Sequence, residues 1–133
     1  MEDEFIKVER NETVYNVVKK MMDVKKCNVT DDTSMCSPIL AAYVMEDNIP
    51  IGVVYKDTII EKIILSGEDP KGLSIESIME PPTCMSDNSQ VKDVVNLILD
   101  KGLMVVAIVD GQELVSVISV FDAIYLKDSI ATE

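Results

Sequence analysis

The sequence contains two copies of one segment, NETVYNVVKKMMD at residues 11–23 and NSQVKDVVNLILD at residues 88–100. In both copies the apolar residues recur at i, i+3, i+4, i+7 and i+8, which is the spacing of one face of an amphipathic helix. The copies lie 77 positions apart, from residue 11 to residue 88. Because a repeated segment indicates a repeated structural unit, we expect a pseudo-symmetric protein in which each half begins with the same helix.

A second shared region follows each helix. Residues 42–60 resemble residues 106–124 at an offset of 64, so the first copy carries 77 − 64 = 13 additional residues, which fall in a loop at about 25–38. Within this region we predict strands at 41–45 and 51–55 in the first copy and at 104–109 and 114–119 in the second. Short turns at Asp47 and Asn48, and at Asp110 and Gly111, predict an antiparallel hairpin in each copy.

A second helix is expected after each hairpin. In the first copy Ile59, Ile60, Ile63 and Ile64 give it a wide apolar face that stops at Ser66 and Gly67. Its counterpart is predicted to be shorter, running from residue 122 to about 127. Glycine and proline interrupt the sequence between the copies, which divides the chain into a first repeat at 1–66, a linker at 67–77 and a second repeat at 78–133.

Composition excludes several classes of function. With 133 residues, 47% of them hydrophobic, the chain has enough apolar material for one globular domain or two half-size units. The apolar runs are too short to span a bilayer and the N-terminus is acidic, so we expect a cytoplasmic protein without a membrane partner. The 24 acidic residues outnumber the 12 basic ones, and Arg10 is the single arginine, which makes nucleic acid an unsuitable partner.

Catalytic and metal chemistry find little support in the residue types. The chain has no histidine, so a Ser-His-Asp or Cys-His pair cannot form, and its five glycines make no phosphate-binding loop. Cys27, Cys36 and Cys84 are an odd number without a C-x-x-C pair, which disfavours structural zinc. We therefore expect a protein that is not an enzyme, holds no metal and requires no cofactor.

The second half carries an ordered set of short motifs. They are IMEP at 78–81, a polar cap at 86–88, the amphipathic helix at 91–99, KG at 101–102, VD at 109–110, a Gly-x-Leu-Val-like stretch at 111–115 and SVFD at 119–122. In this order, doubled along the chain, the pattern resembles a tandem pair of CBS domains, also called a Bateman module. The resemblance covers nearly the whole chain.

This resemblance implies an α+β fold (α/β in a broader sense), built as two CBS-type repeats of order helix-strand-strand-helix about a pseudo-twofold axis. It also implies a regulatory sensor that binds an adenosine-containing ligand such as AMP, ADP, ATP or S-adenosylmethionine between the repeats. In such clefts a carboxylate at the position of Asp122 accepts hydrogen bonds from the ribose hydroxyls, and a hydroxyl at Ser119 meets phosphate or ribose oxygen. The remaining walls implied by the family are Ile78, Pro81, Thr83, Val106 and Ala107. Helix capping is the alternative role of Asp122.

The first copy departs from the family pattern. Tyr55 stands where Ser or Thr is usual, and Thr58 stands where the aspartate belongs, with Asp57 one residue away. We therefore expect one competent cleft at the second repeat and one degenerate cleft at Tyr55 and Thr58. Strand 104–109 carries no cation for phosphate, although Lys101, Lys127 and Lys56 are candidates. For this reason AMP or an S-adenosylmethionine-like ligand is favoured over ATP.

A different class of function stays open beside the sensor. Tandem CBS pairs commonly associate through their helices, and the isoleucine face of the first repeat is more apolar than a lone surface helix needs. A ligand-free dimerisation or partner-docking module is therefore the alternative. In either case a homodimer and a separate protein effector are the expected partners.

Overall fold

Two three-stranded sheets and four helices form the architecture of the computed structural model, which describes residues 5–24 and 39–131. The inserted loop at 25–38, with Cys27 and Cys36, lies outside the described residues. The first repeat consists of β1 (Phe5–Glu9), α1 (Val14–Val24), β2 (Ala41–Glu46), β3 (Ile49–Tyr55) and α2 (Lys56–Ile60). The second consists of β4 (Cys84–Ser86), α3 (Val91–Lys101), β5 (Val105–Asp110), β6 (Glu113–Ser119) and α4 (Val120–Ala131).

The two sheets have the same topology and the same register. In the first sheet β2 lies between β1, to which it is parallel, and β3, to which it is antiparallel, and β5 has the same place between β4 and β6. Ala41 pairs with Tyr55 as Val105 pairs with Ser119, so the hairpins superpose at the predicted offset of 64. Both carry a bulge at the matching step, after Val44 and after Ile108. The internal repeat is therefore a repeat of structure.

The order of elements differs from the prediction in one respect. Each repeat begins with a strand before its amphipathic helix, β1 or β4, that the helix-strand-strand-helix order omits. The first hairpin turns at Asp47 and Asn48, as predicted, and both residues have positive φ angles. The second hairpin turns at Gly111 and Gln112, one residue later than expected.

The closing helices reverse the predicted difference in length. α4 is a continuous helix of 12 residues, so the expectation that it would be the shorter one was wrong. α2 has five residues and continues as a π-helix over Glu61–Leu65 before Gly67, at φ +72°, ends it. Within the predicted isoleucine face, Ile59 is buried whereas Ile60 and Ile64 are exposed.

Each sheet buries both of its faces. One face of the first sheet packs under α1 and α2 in a first-repeat core that includes Val14, Val17, Ala42, Val44 and Val54. One face of the second sheet packs in the corresponding second-repeat core, which includes Val95, Ile98, Val106 and Ala123. The opposite faces meet in an inter-sheet core, formed by Leu40, Ala41, Tyr43 and Val53 from one side and Val105, Ala107 and Leu114 from the other. Since alternate residues serve different cores, the strands read as nearly continuous apolar runs.

The segment between the repeats is fastened to the first one. A 3-10 helix covers Ile75–Ile78, where a helical turn was expected, and Ile75 is fully buried in the first-repeat core. Further along, Glu80 exchanges two backbone hydrogen bonds with Val53 of β3, at 2.8 and 3.0 Å. A Cβ at Gly52 would overlap the Met79 side chain, so glycine permits this close approach.

Candidate ligand cleft

Ser119 and Asp122 form a reciprocal pair where β6 ends and α4 begins. The Asp122 backbone N–H donates to Ser119 Oγ at 3.1 Å, and the Ser119 N–H donates to Asp122 Oδ2 at 3.1 Å. This arrangement is a capping box with aspartate in the place usually taken by glutamate, and it satisfies two backbone donors. The two residues to which the family resemblance gives ligand contacts thus also have a complete structural explanation as a helix cap.

The capping box leaves part of the carboxylate available. Asp122 is partly exposed, and its Oδ1 accepts no hydrogen bond from the described residues. An ionised carboxylate can accept about four hydrogen bonds, so the single bond to Ser119 N–H fixes its orientation without exhausting it. Ser119 is fully buried, which limits its hydroxyl to the local cap.

The predicted wall residues divide into separate groups. Thr83 and Ala107 are neighbours, since the Ala107 N–H donates to the Thr83 carbonyl at 2.9 Å. Ala107 faces the inter-sheet core, whereas Val106 faces the second-repeat core together with Ala123. Val106 and Ala107 therefore lie on opposite faces of β5 and do not line the same space.

Ile78 and Pro81 lie along the first repeat. Ile78 packs against the first-repeat core, and Pro81 is exposed directly after the Glu80 pairing with β3. Two residues later the chain joins β5 through the Thr83 carbonyl. The segment from Ile78 to Thr83 thus crosses from one repeat to the other beside the second sheet.

In the first repeat a tyrosine stands at the position of Ser119. Tyr55, the counterpart of Ser119, precedes α2 without a side-chain capping hydrogen bond, while the counterpart of Asp122 is Thr58. Tyr55 packs half-buried against the inter-sheet core, and burial, with a smaller effect of Glu80, raises its pKa. The fold therefore gives this repeat no counterpart of the Ser119 and Asp122 pair.

Tyr43 is a residue that sequence reasoning missed. It is the counterpart of Ala107 at the offset of 64, it is almost completely buried, and its ring meets Phe5 edge to face at 5.8 Å between centroids. Desolvation is the main cause that raises its pKa, followed by Tyr55 and Cys84. Comparing the two copies position by position would have found it, because a tyrosine opposite an alanine indicates an asymmetric interior.

The cations and polar clusters do not converge on Asp122. The three salt bridges among the described residues join Arg10 to Glu46 and Glu76, and Lys20 to Glu12. Lys101 and Lys127 are exposed, and Lys56 lies at the start of α2 in the other repeat. In this described part of the chain, three or more His, Cys, Asp or Glu side chains nowhere come together in a way that could hold a metal ion. Nor is any helix within it long and apolar enough to cross a membrane.

Solved structures with similar folds carry a common description. The chain aligns with a CBS domain protein from Pyrobaculum aerophilum complexed with AMP at a TM-score of 0.74 and 18% identity, covering 96% of this chain and 92% of that one. It aligns with the cytosolic domain of the Mg2+ channel MgtE in complex with ATP at 0.71 and 21%, covering 93% and 45%. A conserved CBS domain protein from Thermoplasma acidophilum gives 0.69 and 24%, covering 96% and 65%. No protein-family model and no curated protein matches the chain.

The chain therefore has the α+β fold of CBS domain proteins, as the resemblance implied. The chain spans less than half of the MgtE domain but nearly all of the Pyrobaculum protein.

Proposed function

We propose that this protein is a non-catalytic regulatory module that binds an adenosine-containing ligand at Asp122. The observation that carries the proposal is the capping box, which orients the carboxylate at the N-terminus of α4 and leaves Oδ1 free of hydrogen bonds from described residues. A ribose diol needs an acceptor of this kind. Two proteins of the same fold are described in complex with AMP and with ATP, which supports an adenine nucleotide as the ligand class.

The charges favour a ligand with little negative charge. The first turn of α4 contains Val120, Phe121 and Ala123 beside Asp122, so it offers no cation, whereas α2 begins with Lys56. The protein also has a formal net charge of −12, which opposes a polyphosphate unless a cation accompanies it. We therefore place AMP or S-adenosylmethionine before ATP.

Regulation would follow from the way the two repeats are joined. The segment from Ile78 to Thr83 is hydrogen bonded to β3 at Glu80 and to β5 at Thr83. A ligand that contacts Pro81 or Thr83 while it is held by Asp122 would favour one arrangement of the repeats over another. The size of the response is limited by the difference in its affinity for the two arrangements. A homodimeric state and a separate effector protein would carry the signal onward.

A thermal-shift screen tests the ligand and its site together. We expect AMP or S-adenosylmethionine at about a hundred times its dissociation constant to add about 2.7 kcal/mol to the free energy of unfolding. Asp122→Asn keeps an oxygen that can accept from Ser119 N–H but removes the charge, so the shift should be lost while the fold persists. Asp57→Asn, on the exposed first turn of α2, is the matched control and should keep the shift. A shift of equal size in Asp122→Asn would contradict the proposed site.

The second candidate is a dimerisation module that binds no small molecule. Large apolar side chains are exposed on the closing helices of both repeats, namely Ile60, Ile64, Leu65, Phe121, Ile124 and Tyr125, with Leu65 79% and Tyr125 75% exposed. Ile60 and Ile124 are equivalent at the offset of 64, so both repeats contribute a comparable patch. If no adenosine compound stabilises the wild type and sedimentation finds a dimer that Asp122→Asn leaves intact, this candidate replaces the sensor.

A further inference from the structure

A cavity of about 320 Å³ lies between α1 and α2 in the first repeat. Its floor is formed by Met21, Ile39 and Ile59, which belong to the first-repeat core. The lining residues at its rim are Val18, Met22, Ile60 and Lys56. The volume is at the lower end of the range for small-molecule sites, and the lining is apolar except for one ammonium group.

The residues that line the cavity can be compared with those at the equivalent positions of the second repeat. Val18, Met21 and Met22 of α1 correspond at the offset of 77 to Val95, Ile98 and Leu99 of α3. All three of these counterparts pack in the second-repeat core. Their helix lies along α4 in close contact. Met22 is the position that differs most, because it is 71% exposed in the first repeat whereas its counterpart Leu99 packs in the second-repeat core.

Among the residues that face α1, the two repeats differ in chemistry at one position. Ile39, Lys56 and Ile59 correspond at the offset of 64 to Leu103, Val120 and Ala123, which again belong to the second-repeat core. Lys56 thus places a positive charge where the second repeat has a valine. Its backbone N–H donates to the Leu40 carbonyl at 3.1 Å, which fixes the residue at the start of α2. Among the described residues its ammonium group forms no salt bridge.

We propose that the cavity between α1 and α2 binds a medium-chain carboxylate, with its hydrocarbon chain against Met21, Ile39 and Ile59 and its carboxylate at Lys56. The apolar floor accounts for the chain, since removing methylene groups from water is favourable. Lys56 accounts for the charged end, because an ammonium at an apolar rim gives a carboxylate a partner close to water. Methionine suits such a lining, because its unbranched side chain adapts to ligands of different length. This site is separate from Asp122 and does not depend on the proposed nucleotide function.

The test uses the full chain with sodium decanoate below its micelle concentration and with decanol as the uncharged comparison. Calorimetric titration should show saturable binding of decanoate that is tighter than that of decanol. Lys56→Gln should weaken decanoate binding by up to about fivefold, as expected for an exposed ion pair, and leave decanol unchanged. Lys127→Gln removes the same charge from exposed α4 and should bind decanoate as the wild type does.

Methionine methyl NMR locates the ligand independently of affinity. Decanoate should shift the methyl signals of Met21 and Met22, and leave those of Met79 and Met104, which lie outside the cavity lining, in place. Absence of decanoate binding by the folded wild type would overturn the proposal. Equal loss in Lys56→Gln and Lys127→Gln, or shifts spread over all methionines, would overturn it as well, since either result indicates adhesion to exposed apolar surface.

Discussion

The capping box at the start of α4 should give unequal costs at equivalent positions of the two repeats. Asp122→Ala removes the acceptor of the Ser119 N–H, and because Ser119 is fully buried that donor has no easy access to water. Loss of a capping side chain costs about 0.5–2 kcal/mol, so we expect about 1 kcal/mol, which lowers the melting temperature of a domain of this size by about 3–5 °C. Thr58→Ala changes the corresponding position of α2, where no side-chain cap exists, and should cost less than about 0.5 kcal/mol.

Urea unfolding followed by circular dichroism measures these differences without any ligand. Ser119→Ala removes the other hydrogen bond of the pair and should cost a similar amount, and the double variant should cost less than the sum if the two bonds support each other. Equal costs for Asp122→Ala and Thr58→Ala would refute the reasoning, since the contrast between the repeats depends on the cap alone. The result also fixes the baseline from which ligand-induced stabilisation of Asp122 variants has to be counted.

Two further predictions concern the first repeat. Gly52→Ala forces a Cβ into the Met79 side chain and should cost about 1–3 kcal/mol in urea unfolding. Ser116→Ala, at the equivalent exposed position of the second sheet, should change the free energy of unfolding by less than about 0.5 kcal/mol. Equal costs would contradict the close approach of Met79 to Gly52. Burial raises the pKa of Tyr43 above the ordinary value of 10.0, so the unfolded chain releases this proton first and stability should fall as the pH rises above about 10. Tyr43→Phe should flatten that fall in pH-dependent unfolding, and an unchanged slope would show that Tyr43 does not cause it.

Sequence periodicity was sufficient for α1, α3 and both hairpins, but not for the lengths of the closing helices. The apolar spacing on α1 and α3 predicted their buried faces, although Met22 and Val91 at the ends of the pattern are 71% and 51% exposed. The two offsets predicted the insertion and the matching registers. β1 and β4 were not predicted, because a short parallel strand pairs with a strand far along the chain and no local turn indicates the pairing.

The candidate site was predictable in part. The capping role given as the alternative for Asp122 is present, because the end of a strand and the first turn of a helix bring Ser119 and Asp122, at i and i+3, together. Alternation along β5 could have separated Val106 from Ala107 from the sequence alone. The contact between Met79 and Gly52 depends on packing between distant segments and has no local signature.

The attachment of residues 74–80 to the first repeat bears on how the protein folds. Ile75 completes one core and Glu80 extends one sheet, yet both precede the strand that opens the other repeat by only a few residues. A chain cut anywhere between Gly67 and Ile75 would remove the buried side chain of Ile75 from the first half. The second half would then carry an extended segment without its pairing partner. The two halves are therefore expected to lose their structure in one cooperative transition, and a pair of separately expressed halves would have to complement each other before either became stable.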